Sequence, residues 1–224
     1  MPASHTIELH FPLPDYLSRD LVIRHLQAYE PLITPHPYLQ RYERRPADAG
    51  SLAGDPFFAE DGWGTESYVV VERVPIVPML GLAKDIRIPA TFQSFPGGVR
   101  CRADAQAGVT VWSTYEVARR DLGAEFERAG RAGTDGVGHD GWGHDVLDAA
   151  GLSSPGAAGE WELVEHARVE CNALLKPFVV KSFEVAHRDL CRKVIDELKR
   201  KASSELPALA EEAPVAAPAS TAVA

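Results

Sequence analysis

The chain has 224 residues, 45% hydrophobic and 25% charged, with a formal net charge of −9. That length and apolar content describe one globular domain with enough material for a sizeable core. The acidic balance argues against binding nucleic acid, because a phosphate backbone calls for a basic face.

The opening HTIELHF alternates Ile7, Leu9 and Phe11 with polar neighbours, the period-two mark of a half-buried strand, and Pro12 and Pro14 are expected to end it. In SRDLVIRHLQAY, Ser18 can cap a helix, Asp20 suits its first turn, and Leu21, Val22, Leu26 and Tyr29 form its apolar stripe. Pro31, Pro35 and Pro37 stop that helix near Glu30. Strands are predicted over 38–45, 65–74, 84–95, 99–105, 109–117 and 160–172 from β-branched content and alternation. Pro89 falls mid-strand and argues for an edge or bulge there. Pro96-Gly97-Gly98 and Gly108 supply turn chemistry that joins three of these strands into a meander. Residues 46–64 and 119–158 are rich in glycine and alanine and read as insertions, the second with a short helix near Asp121 to Arg128.

From Leu174 on, Leu175, Phe178, Val179, Ser182, Phe183, Ala186, Leu190, Val194 and Leu198 recur at helical spacing. This predicts an amphipathic helix of about six or seven turns. Pro177 is tolerated in its first turn, and Lys199-Arg200-Lys201 suit the negative end of its dipole. The expected organisation is a single domain over 1–202 and a disordered Ala/Pro-rich tail over 203–224.

An antiparallel sheet must bury its apolar face, and the largest stripe available to cover it is that of the last helix. The expected class is α+β, with the sheet wrapped around the long C-terminal helix and a cavity between them. This order resembles the helix-grip fold of START-like (SRPBCC) proteins, such as plant pathogenesis-related allergens and polyketide cyclases. More narrowly, the strand leading into Pro12-Leu13-Pro14 and the segment from Glu170 to Leu190 resemble fungal domain-of-unknown-function family 7053. The residues carrying that likeness are Cys171-Asn172, Phe178-Val179 and Ala186-His187. The resemblance implies a fold and no particular activity.

Alternation places Tyr115 and Glu165 among apolar neighbours on inward faces. A buried carboxylate needs a partner or an upward pKa shift, so the two either orient a ligand, act in acid–base chemistry, or make a structural hydrogen bond. Phe92, Trp161, Phe178 and Phe183 either line an apolar pocket or pack the core. His187 reads as a rim or surface histidine. His139-Asp140 and His144-Asp145 lie in a glycine-rich loop without fixed geometry, so no metal site is predicted. The three cysteines Cys101, Cys171 and Cys191 are odd in number and widely spaced, so they frame no disulfide network or zinc knuckle.

Phosphate-loop, serine-elbow and Cys-His signatures are absent, and no cofactor is expected. The N-terminus has no signal-peptide pattern, and no window approaches the roughly 20 apolar residues of a membrane span. The expected setting is therefore cytoplasmic, without integral membrane association. Three functions follow in order: binding of a small apolar ligand such as a lipid or secondary metabolite, a cyclase- or dehydratase-type enzyme using Tyr115 and Glu165, and a protein-interaction module.

Overall fold

A computed structural model of the chain describes residues 2–46, 55–58, 63–77, 82–121 and 158–210. The fold is α+β: a seven-stranded, fully antiparallel open sheet with a long C-terminal helix. In chain order come β1 (Pro2–Pro14), α1 (Arg19–Leu26), β2 (Leu39–Arg45), β3 (Thr65–Val77), β4 (Leu82–Phe95), β5 (Gly98–Ala105), β6 (Val109–Arg119), β7 (Ala158–Asn172) and α2 (Lys176–Ala210). The sheet order is β1-β7-β6-β5-β4-β3-β2. The chain therefore meanders from β2 to β7, and β1 closes the far edge beside β7. Most of the two expected insertions, the short helix from residue 122 on and both His-Asp pairs lie outside the described residues, as do 211–224. α2 continues past Ser203, where the composition predicts a tail, to Ala210.

Pro12 departs from its local reading, and Pro89 keeps to it. β1 does not stop at Pro12, which pairs with Glu162, and the register shifts only between Pro12 and Pro14. β1 is an edge strand, and an edge tolerates a residue without an N–H. Pro89 lies in an interior strand, yet β4 pairs with β5 only from Ala90 to Phe95. Beyond Ala90, β4 pairs with β3 alone, so Pro89 stands where one side of the strand has become a local edge.

The register puts Leu9, Leu163, Val117, Val99, Phe92 and Tyr68 on one face, and this inner face carries the core. α1 forms where expected: Ser18 Oγ accepts from Leu21 N at 3.3 Å, and Val22, Ile23 and Leu26 are buried. Gln27 Nε2 donates to Phe95 O at 2.9 Å, which fixes α1 over the β4–β5 turn. At the other end, Asn172 Oδ1 accepts from Leu174 N at 3.0 Å and turns the chain from β7 into α2. Lys176 Nζ reaches Ser4 O at 3.1 Å, fixing that turn to β1.

α2 is not equally covered along its length. Ala186, Leu190, Cys191, Val194, Ile195 and Leu198 are buried, whereas Val179, Val180 and Phe183 are only partly so. Leu174 is 89% exposed, Phe178 58% and Val185 60%. The amphipathic stripe is thus fully buried only from Ala186 onward, and Phe178, expected on the packed face, is on the surface.

Candidate functional site

Tyr115 on β6 and Glu165 on β7 are register partners, and both point inward as their alternation predicts. Glu165 is fully buried, at 0% exposure. The third member of the cluster comes from α2. Phe183, His187 and Cys191 are spaced four residues apart and so share one face of the helix.

His187 Nδ1 lies 2.6 Å from Glu165 Oε1 and 3.2 Å from the Tyr115 hydroxyl. The Cys191 thiol donates to Glu165 Oε2 at 3.7 Å, and the Tyr115 hydroxyl also bonds the carboxylate. Burial, and next the neighbouring Glu165 charge, push the Tyr115 and Cys191 pKa values well above their ordinary ranges. Both groups stay protonated and serve as donors. Glu165 therefore collects donors from β6 and α2, the requirement for keeping a carboxyl group in a dry interior. The Phe183 ring stacks on the imidazole, with centroids 3.7 Å apart and planes at 24°.

A second pair adjoins this one. The His36 ring meets His187 edge-on at 6.1 Å, and His36 Nδ1 lies 3.0 Å from Glu72 Oε1 of β3, though off the line of a hydrogen bond. Burial, with His187 and Lys193 adding to it, lowers the His36 pKa to about 4. Burial raises Glu72 to about 7, against the opposing effect of His187. Both groups are held toward their neutral forms.

The inner face is graded along its strands. Toward α1, Val117, Val99 and Phe92 are buried. Toward the opposite end, Val111 and Val109 of β6, Cys101 and Ala103 of β5, and Ile88 of β4 are only partly covered. Val179, Val180 and Phe183 of α2 are likewise only partly covered and pack against the same core. Ser113 lies at the boundary, between Val111 and Tyr115 on the same face. Its hydroxyl is buried without a hydrogen-bond partner.

Of the residues singled out from the sequence, Tyr115, Glu165 and Phe183 come together, and His187 joins them. Phe92 lies deeper, stacked on Tyr29 at 5.3 Å and edge-on to Tyr68 at 5.7 Å. Trp161 is near the start of α1, with the Arg19 guanidinium 5.6 Å from its ring centroid. Phe178 is exposed, away from the cluster's buried members. His187, read as a rim residue, is the hub of the cluster. Its signal was the apolar pair Phe183 and Cys191 four residues to either side. Among the described residues no group of three or more His, Cys, Asp or Glu is arranged to hold a metal ion. Among the described residues no helix is long and apolar enough to cross a membrane.

The family model described as Domain of unknown function (DUF7053) matches residues 2–200. The chain belongs to the DUF7053 family. The match takes in every strand, α1 and α2 through Arg200, so the Glu165–His187–Tyr115 cluster lies within the DUF7053 region. No curated protein matches the chain.

Proposed function

We propose that this DUF7053 chain binds a small, largely apolar molecule, of a lipid or secondary-metabolite kind, between the first half of α2 and the inner face of β4–β6. We read the fold as a helix-grip of the START-like kind and the setting as cytoplasmic. The carrying observation is the grading of the inner face. Along β4–β6 this side is mostly apolar, yet it is fully covered only toward α1, whereas Val169 and Cys171 of the neighbouring β7 stay buried at the other end. An apolar surface with partial cover is where a ligand gains most from leaving water. Ser113 supports the reading, because a buried hydroxyl without a partner is uncommon and suits a ligand's polar atom.

The test is fluorescence titration with 1-anilinonaphthalene-8-sulfonate. The wild-type chain is expected to bind and enhance the probe. Ala103→Trp, which fills the partly covered face with an indole, is expected to weaken binding at least about tenfold while leaving the far-UV circular dichroism unchanged. Unaltered binding in that variant would place the probe elsewhere and refute the proposed location.

A further inference from the structure

We infer that His187 is the general base of an enzyme site that enolises an apolar ketone bound on the partly covered inner face, with Glu165 as its positioning residue. The inference rests on the ligand-binding reading above and adds to it a reaction and a substrate class.

The geometry is that of a carboxylate–imidazole dyad. The 2.6 Å contact to Glu165 engages Nδ1, so the Nδ1–H is donated to the carboxylate and the lone pair resides on Nε2. Among the described residues Nε2 has no hydrogen-bond partner, and it is not one of the buried unpaired atoms. The His187 side chain keeps 16% of its surface, so Nε2 is within reach of solvent or ligand. Phe183 on one face of the ring and the Glu165 contact fix its orientation, which a general base needs in order to act on a bound molecule. The groups facing it are Glu165 from β7, Tyr115 from β6, Cys191 from its own helix, His36, and Glu72 from β3. Tyr115 and Cys191 stay protonated, and Glu165 is the carboxyl group in direct contact with the imidazole.

The chemistry balances without an outside oxidant or reductant. The Nε2 lone pair takes a proton from the carbon next to the carbonyl. The C–H pair becomes the carbon–carbon double bond of an enolate, and the carbonyl π pair moves to oxygen. Ser113, the buried hydroxyl without a partner, is the donor suited to that oxygen. The imidazolium, paired with Glu165, trades that proton with solvent water before it reprotonates carbon, giving exchange at the original atom, and isomerisation when a proton is delivered to another carbon. An apolar ketone matches the surroundings: Val109, Val111, Ala103 and Ile88 for its hydrocarbon, and one hydroxyl for its oxygen.

The experiment incubates the full chain with 2-tetralone in deuterium oxide and follows deuterium at its C1 carbon by mass spectrometry. The wild-type chain is expected to exceed an equal concentration of free imidazole by about 100-fold or more, the contribution typical of a positioned base. His187→Gln is expected to return the rate to the imidazole level. Because that variant perturbs a buried cluster, a second arm treats the folded wild-type chain with diethyl pyrocarbonate. Carbethoxylation mapped to His187 is expected to abolish exchange, with 2-tetralone protecting against it. Glu165→Gln is expected to lower kcat with little change in KM and to shift the pH profile, which loss of packing alone would not do. If 2-tetralone binds in an Ala103→Trp-sensitive manner but exchange stays at the imidazole level, or survives modification of His187, the base assignment is wrong and the binding reading stands. If neither 2-tetralone nor the naphthalene probe binds, both fall.

Discussion

Glu72 and His36 carry opposite pH dependences because burial disfavours the charged form of each. Glu72 moves from its ordinary 4.5 to about 7, so the folded state holds this proton more tightly than the unfolded chain. Its stabilising contribution is present below pH 4.5 and is lost as pH rises through 7. His36 moves from 6.5 to about 4, so its contribution is present above pH 6.5 and is lost as pH falls through 4. Glu72→Gln removes the buried carboxylate. It is expected to stabilise the protein at pH 8.5 by up to about 3 kcal/mol, and by much less at pH 4.5. Urea denaturation at the two pH values checks this, and equal effects at both would contradict it. His36→Gln is expected to flatten the loss of stability between pH 6.5 and 4, measured in the same way.

Along α2 the packing predicts a sharp contrast between neighbouring turns. Leu190 is 1% exposed against the sheet and Phe178 is 58% exposed. Leu190→Ala is expected to cost about 2–5 kcal/mol through lost burial and a cavity, whereas Phe178→Ala should change stability by only about 0.5 kcal/mol. Denaturant midpoints distinguish the two, and similar losses would mean that the first turns of α2 are packed. At the β4–β5 turn, a Cβ on Gly98 would meet the Tyr115 carbonyl oxygen at 1.9 Å. Gly98→Ala should therefore displace β6 beside the cluster and lower the melting temperature clearly.

The elements themselves were legible from local chemistry. Ser18 marked α1, alternation placed Val109 to Val117 and Trp161 to Cys171 as strands, and the helical period marked α2. Pro12 was misleading because a proline's tolerance depends on which side of its strand is paired, a property of sheet order rather than of the segment, whereas the edge expected at Pro89 is where the β5 pairing ends. The uneven cover of α2 was hidden for a related reason: Phe178 and Leu190 share the apolar periodicity, and only the position of the sheet decides which of them it reaches.

The site was half legible. Tyr115 and Glu165 were found by period two because β6 and β7 are adjacent and in register. His187 was not, because its place depends on the rotation and axial position of α2 over β7. Those are set at a distance, by the Asn172 turn and the Lys176 contact to Ser4 at one end and by the Lys193 contact to Pro35 O, at 3.1 Å, further along. β1, joining the edge beside β7, closes the inner face on that side and leaves the partial cover over β4–β6. The function proposed here depends on that asymmetry.

The most direct test is a methyl-labelled NMR titration of the full chain with 2-tetralone. Binding on the inner face predicts saturable shifts at Ile88, Val109, Val111, Val179 and Val180, with the exposed methyls of Leu174 and Val185 unmoved. Shifts confined to Leu174 and Val185, or none at all at saturating ligand, would contradict it.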